Sequence, residues 1–271
     1  MEAILSSNSK AEVFNALHRQ PEPLRLPNAW DAGSALLIER LGARAIATTS
    51  AGVAWSLGYR DGDALPLDRH LATIAAIARV VTVPLSVDIE GGYIEECDSI
   101  AETAARFVEA GAVGFNIQDG AASPHVLCRK IEQIRQTAER LGVGLYVNAR
   151  TDVYARNLVP ENLRVNEVLT RARQYQEAGA NGLFVLGVTN RDDIAQIAAG
   201  TELLLNVIAW PGLPPASDLA TLGVRRVSVG SWISQTLWEH ASALAANFLA
   251  DGRSEPLFEF AAPYSEVNAC F

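Results

Sequence analysis

The stretch Ser99–Gln118, SIAETAARFVEAGAVGFNIQ, sets the pattern by which the whole chain can be read. Ser99–Ala110 reads as a helix, Gly111 stops it, and Val113–Gln118 follows at once as an apolar strand. The same helix stop before a strand recurs at Leu41-Gly42, Ala178-Gly179-Ala180 and Leu222-Gly223. Working outward from it, strands are expected near Leu24–Pro27, Ala45–Thr49, Leu85–Asp88, Val113–Gln118, Gly144–Ala149, Gly182–Leu186, Leu203–Val207 and Arg226–Val229. Between them the spacing predicts helices over Ala32–Leu41, Leu67–Val80, Ser99–Ala110, Val126–Leu141, Val165–Ala178, Asp192–Ala198 and Ser217–Leu222. A first helix lies within residues 1–20 and a last one over Ser231–Asn247. A glycine-containing loop runs from the second strand through Asp63. Strict alternation of strand and helix implies a parallel sheet, and eight units in a chain of 271 residues match a closed (β/α)8 TIM-type barrel. The rival, a doubly wound open sheet, would carry a glycine-rich phosphate loop after an early strand, and none is present. No linker, repeat or low-complexity stretch divides the chain, so 1–271 is expected to be one barrel domain with an N-terminal helix and an irregular tail from Asp251.

Composition narrows the function classes. The chain is 49% hydrophobic, ample for a large core, and its net charge is −9 with no basic run, which argues against nucleic acid as a partner. The three cysteines, Cys97, Cys128 and Cys270, form neither a zinc spacing nor a disulfide framework, which fits a reducing cytosol. The start, Met1–Ser6, lacks the basic and apolar segments of a signal peptide, and no apolar stretch approaches the ~20 residues of a membrane helix. A soluble, cytoplasmic protein is expected.

The segment after the third strand carries the strongest chemical signal. In Ser86-Val87-Asp88-Ile89-Glu90-Gly91-Gly92-Tyr93, Asp88 and Glu90 are two apart, and on extended chain both would point to one side. Two carboxylates at the end of a buried strand repel and are expensive to desolvate, so they persist where they face water or a cation. Such a pair suits magnesium, held by few carboxylates plus waters and substrate oxygens; it also suits a solvated strand end before a turn. In a barrel, catalytic groups gather at the C-terminal strand ends. Asn28, Asp31, Thr48, Thr49, Ser50, Asp61, Asn116, Gln118, Asp119, Asn148, Arg150, Asp152, Asn206, Ser228 and Ser231 all fall there or in the loops that follow. Asp31 reads as a helix cap, and Thr48, Thr49 and Ser228 also suit ordinary strand and barrel positions. Arg150 needs an anion, either Asp152 or Glu90 or a ligand carboxylate. The histidines His18, His70 and His240 look peripheral. His125, after the fourth strand, is a weak candidate, and nothing marks Cys128 as activated.

The chain resembles the isocitrate lyase and phosphoenolpyruvate mutase superfamily over about residues 24 to 250. The resemblance rests on Pro27-Asn28-Ala29-Trp30-Asp31, Thr48-Thr49-Ser50-Ala51-Gly52, Leu57-Gly58-Tyr59-Arg60-Asp61, Val87–Tyr93, Asn148-Ala149-Arg150-Thr151-Asp152 and Leu205-Asn206-Val207. The run Leu222–Gly230 resembles the mutase-like branch, which includes the carboxyvinyl-carboxyphosphonate phosphorylmutases. What the resemblance implies is a site for 2-oxo acids that depends on magnesium, or manganese. A bond beside the 2-oxo group is made or broken there through a metal-bound enolate. It implies that Asp88 and Glu90 hold the metal, with Gln118 in its water shell, and that Thr49, Ser50, Ala51 and Arg150 hold the substrate carboxylate. It also places Asn206 near the ligand, and it makes Asp61 the acid/base residue on a mobile loop, with Tyr59 as a second choice. Homo-oligomers are implied too, usually tetramers of dimers that exchange the last barrel helix, with Trp232 and Trp238 as interface anchors or as packing within one subunit.

Departures from the family pattern shape the expectation. Gln118-Asp119-Gly120 stands where the family has a metal-linked glutamate followed by Asp-Lys, and the loop after that strand is shortened to about Ala121–Val126. The cysteine loop of isocitrate lyases is missing, and Leu186 replaces the histidine of the phosphonate-processing branch. The expectation is therefore a lyase that cleaves a C–C bond in a small 2-oxo acid or its adduct. A C–P bond enzyme (phosphonopyruvate hydrolase or phosphonomutase) and a 2-oxo acid binding protein with little turnover, for example one binding 2-oxoglutarate, are the alternatives.

Overall fold

A computed structural model describes residues 2–93 and 100–271, with side chains from Asn8 onward; Cys97 and Ser99 fall outside the described residues. The strands are β1 (Leu24–Leu26), β2 (Asn28–Ala29), β3 (Ile46–Thr48), β4 (Leu85–Asp88), β5 (Gly114–Gln118), β6 (Tyr146–Thr151), β7 (Gly182–Val185), β8 (Leu204–Ile208) and β9 (Arg226–Ser228). The helices are α1 (Glu2–Leu17), α2 (Ala32–Arg40), α3 (Ser50–Ser56), α4 (Leu67–Val80), α5 (Ile100–Glu109), α6 (Pro124–Leu141), α7 (Arg164–Glu177), α8 (Arg191–Ala199), α9 (Ala216–Thr221) and α10 (Trp232–Asp251). The sheet order is β1-β9-β8-β7-β6-β5-β4-β3-β2, and every neighbouring pair is parallel.

The first expected strand is two strands. Pro27 has no N–H to give a ladder, and the chain changes partner there: β1 pairs with β9 and β2 with β3. The two halves together close the barrel. Asn28 fills the seam, its Oδ1 accepting from the amides of Val229 (2.9 Å) and Gly230 (2.8 Å) and its Nδ2 donating to the Thr48 carbonyl (2.7 Å). Asp31 caps α2 as expected, in a reciprocal box with Ser34.

Two other segments differ from the sequence reading. Ser50–Ser56, expected as loop, is α3, with Ala51, Val53 and Ala54 buried. Gly52 lets it pack closely: a Cβ there would lie 2.7 Å from Thr49 Cγ2, 2.9 Å from Trp30 Cβ and 3.2 Å from Ser234 Oγ of α10. The tail from Asp251 contains two short helices, α11 (Glu255–Phe258) and α12 (Tyr264–Asn268). It returns to α2, where Arg40 donates to the Ala269 carbonyl at 3.1 Å. Among the described residues no helix is long and apolar enough to cross a membrane.

The core lies between strands and helices, and two histidines are sealed into it. His70 sits edge-on to Phe107 and Tyr93, with neither ring nitrogen bonded, and burial lowers its pKa to about 4. His18 stacks on Tyr146 at 4.0 Å, and burial, with Arg226 nearby, lowers its pKa to about 3. Both are neutral when folded and take up a proton near 6.5 when unfolded. Their contribution is therefore intact above pH 6.5 and is lost as pH falls toward 4, at about 1.4 kcal/mol per pH unit for each. Replacing His70 with phenylalanine keeps the ring packing and removes one titrating group. The urea midpoint of this variant is expected to fall less steeply than wild type between pH 6.5 and 4.5; equal slopes would refute the assignment.

Candidate active site

The C-terminal strand ends open onto a cavity of about 280 Å³. Asn28, the Thr49–Ala51 turn, Asp61, Asp88, Asn116 and Arg150 line it, together with the apolar Phe184, Leu186, Ile208, Trp210 and Trp232. Of the residues expected at the site, the fold brings together Thr49, Ser50, Ala51, Asp61, Asp88 and Arg150.

Asp88 ends β4, in register with Asn116 of β5. Its main-chain amide donates to Thr48 Oγ1 (3.0 Å), its Oδ1 accepts from the Glu90 amide (3.1 Å), and Ser50 Oγ approaches Oδ2 at 3.5 Å. Burial pushes its carboxyl above the ordinary range, against the pull of Arg150. No lysine or arginine is bonded to it among the described residues, because Arg150 is committed elsewhere. Arg150 Nε and Nη2 donate to the two Asp152 oxygens (2.8 and 3.2 Å), and its guanidinium stands 5.9 Å over the Phe184 ring. Burial alone would raise Asp152, yet Arg150 and Arg156 outweigh it and hold the carboxyl below its usual value. The Asp152 amide donates to Asp119 Oδ1 (3.0 Å), and Asp119 Oδ2 accepts from Arg171 Nη1 (2.7 Å) and the Tyr175 hydroxyl (2.6 Å). Asp119 therefore braces the arginine from behind.

The spacing argument for Asp88 and Glu90 holds only on extended chain. β4 ends at Asp88, and Glu90 is left-handed, with φ +52°. Its Oε2 accepts from the amides of Gly62 (2.9 Å) and Asp63 (2.5 Å), and its Oε1 accepts from the Tyr93 hydroxyl (2.9 Å). Burial drives its pKa up to about 7, against those hydrogen bonds and with Asp61 and Asp88 adding to the rise. Neither Glu90 nor Gln118 is among the residues that line the cavity.

Three further expectations fall elsewhere. Tyr59 lies in a groove between α3 and α10 with Trp55 and Trp238. Asn206 is inside the barrel: Asn148 Nδ2 donates to both Asn206 Oδ1 and Asn116 Oδ1 (2.9 Å each), and Arg226 Nη2 reaches Asn116 Oδ1 at 3.2 Å. His125 and Cys128 line a side pocket with Glu132 and Glu177. The sequence reading missed Asp63 and Tyr93 beside Glu90, and Ile208 and Trp210 on the apolar wall; the run Ile208-Ala209-Trp210-Pro211-Gly212 at a strand end was the signal for the wall.

The donors present fit one kind of cation. Among the described residues no group of three His, Cys, Asp or Glu side chains could cage a metal. A magnesium ion keeps several waters and needs only one or two carboxylates with ligand oxygens, and Asp88 is a half-buried carboxylate at the cavity wall without an ion-pair partner among the described residues.

A family model described as phosphoenolpyruvate phosphomutase matches residues 14–249. An uncharacterized protein of Mycobacterium tuberculosis (strain ATCC 25618 / H37Rv) is 37% identical over 94% of this chain and 95% of its own. The 2-methylisocitrate lyase of Escherichia coli (strain K12) is 30% identical over 78% of this chain and 74% of its own. A crystal structure of phosphonopyruvate hydrolase complexed with oxalate and Mg++ superposes with a TM-score of 0.83 at 21% identity, over 96% of this chain and 94% of that one.

Proposed function

The chain belongs to the phosphoenolpyruvate phosphomutase family, and on that premise we propose that it is a magnesium-dependent lyase cleaving a C–C bond in a small 2-oxo acid or its aldol-type adduct. One observation carries the reading: a half-buried Asp88 carboxylate, without an ion-pair partner among the described residues, faces the same cavity as Arg150 and the Thr49–Ala51 turn. Asp88 is the residue that would hold the cation, which when bound would polarise the 2-oxo group and stabilise the negative charge developing beside it. Arg150, held in plane by Asp152, keeps Nη1 for the substrate carboxylate. The first turn of α3 offers that carboxylate the Ser50 hydroxyl and its main-chain amides. Asp61, exposed at the rim, takes the hydroxyl proton of the adduct as the C–C bond breaks. The apolar wall of Phe184, Leu186, Ile208 and Trp210 excludes water.

The charge at the cavity also favours C–C over C–P chemistry. Among the described residues Arg150 is the one arginine or lysine lining it, so a phosphonate and a carboxylate on one substrate would compete for a single cationic side chain. Calorimetric titration of 2-oxo acids and 2-hydroxy dicarboxylates, with and without magnesium and with product analysis, tests the proposal. Magnesium-dependent binding followed by cleavage is expected. Binding without turnover would make this a 2-oxo acid binding protein, and binding indifferent to magnesium would remove Asp88 from its role. Arg150→Lys, which lacks the planar fork, is expected to raise KM about tenfold or more with little change in kcat; an unchanged KM would place the carboxylate elsewhere.

Assembly belongs to the same reading. Along α10 only Ser234 is buried, while Leu237, Trp238, Phe248 and Leu249 are exposed. A second copy of the chain covers this helix by exchange between subunits, and the molecular mass in solution is expected to be that of a dimer or tetramer; a monomer would refute it. The described cysteines, Cys128 and Cys270, are free thiols, in keeping with a cytoplasmic enzyme.

A further inference from the structure

Residues 57–64, between α3 and Leu65, are largely solvent-exposed and carry Asp61. Between Arg60 and Ala64, the hydrogen bonds to the rest of the described residues run to Glu90 and to the turn at Gly91–Tyr93. The Gly62 and Asp63 amides converge on Glu90 Oε2, and the Tyr93 hydroxyl holds Oε1. The Tyr93 amide closes the connection by donating to Asp63 Oδ1 at 3.3 Å. Three non-glycine residues at this junction are left-handed: Asp63 (φ +56°), Glu90 (φ +52°) and Tyr93 (φ +61°). Residues hold such backbone only where their surroundings over-determine it. The approach is close, since a Cβ on Gly91 would lie 2.9 Å from Asp63 Oδ2 and would push that carboxylate aside. The turn itself is anchored to α6, where Lys130 Nζ donates to the Gly91 carbonyl at 2.7 Å.

We propose that Glu90 is a positioning residue: its carboxylate clasps the backbone of the loop that bears Asp61 and so sets where Asp61 stands over the cavity. The sequence pattern pairs Glu90 with Asp88 at a metal; the geometry gives its oxygens to the loop, and Asp88 alone faces the cavity. Two carboxylates two residues apart then do separate work, because one left-handed residue turns the second away from the first. The consequence for turnover rests on the role given to Asp61 above; the clasp itself does not.

Hydrogen exchange of the ligand-free, metal-free protein, followed by mass spectrometry, reads the clasp directly. In Glu90→Ala the peptide spanning 57–66 is expected to exchange about tenfold faster, as the Gly62 and Asp63 amides lose a charged acceptor, while peptides from β5 to β8 stay unchanged. Gly91→Ala tests the same junction with the Glu90 carboxylate intact. Its Cβ displaces Asp63, and the same loop acceleration is expected with magnesium affinity, measured by calorimetry, within threefold of wild type. In Glu90→Ala the magnesium affinity is likewise expected to change less than threefold. Unchanged loop exchange in both variants would overturn the proposal. So would a loss of magnesium binding in Glu90→Ala beyond tenfold with loop exchange as in wild type, since Glu90 would then serve the cation. If neither wild type nor variant binds magnesium while the loop still loosens, the clasp stands and the metal-dependent reading fails.

Discussion

Asp88→Asn is expected to lower turnover by about a thousandfold, roughly 4 kcal/mol at the barrier, without unfolding the protein. The two effects have one cause. Burial raises the energy of the Asp88 carboxylate, and no arginine or lysine is bonded to it among the described residues, since Arg150 is bonded to Asp152. A partly desolvated charge in that state costs stability until a cation arrives. The amide keeps the shape and still accepts from the Glu90 main-chain N–H through Oδ1. The metal-free variant should therefore melt at the wild-type temperature or above it. Adding magnesium should raise the wild-type Tm by binding the folded state, and should leave the variant where it was. Thermal melts at increasing magnesium, beside steady-state kinetics, decide it. A variant that keeps the magnesium-dependent rise would show that the cation is held elsewhere.

Asp119→Ala is expected to destabilise the fold by about 3–5 kcal/mol, the range found when one partner of a buried ion pair is removed. Asp119 is sealed within the barrel wall, with a side chain 0% exposed beside Arg171 at 9%. Its loss strands the Arg171 guanidinium with only the half-exposed Glu167, leaves the Tyr175 hydroxyl without an acceptor, and frees the Asp152 amide. Total stabilities of about 5–15 kcal/mol make this a large share. Urea unfolding of wild type, Asp119→Ala and the double variant Asp119→Leu/Arg171→Met tests it. The double variant should recover most of the loss, because both charges leave together. A single-variant loss below about 1 kcal/mol would mean that the ion pair is not buried as described. Asp119→Ala should also raise KM, since Asp152, and through it Arg150, loses its brace.

Asp119 shows where a sequence reading stops. At the end of a predicted strand it is indistinguishable from a site residue such as Asp88. The difference lies in partners more than fifty residues away, Arg171 and Tyr175 on α7, which no local pattern announces. Ser50–Ser56 reads as loop because a short apolar run containing glycine has no helical period to detect; the helix packs so close to Trp30 and Ser234 that position 52 has no room for a Cβ, a constraint set by distant residues. Asp31, by contrast, was legible as a cap, because a cap is made with residues three positions on.

What the sequence determined by itself was the alternation of strand and helix and the placing of Thr49, Ser50, Asp88 and Arg150 at strand ends. Both depend on short-range quantities, the period of apolar residues and the glycines that stop helices. Tertiary structure alone decided how the barrel closes, with Pro27 switching partners and Asn28 bridging β3 to the turn after β9. It alone turned Glu90 to the loop while Asp88 kept the cavity, because a left-handed residue is held by the contacts that converge on it and not by the spacing that precedes it.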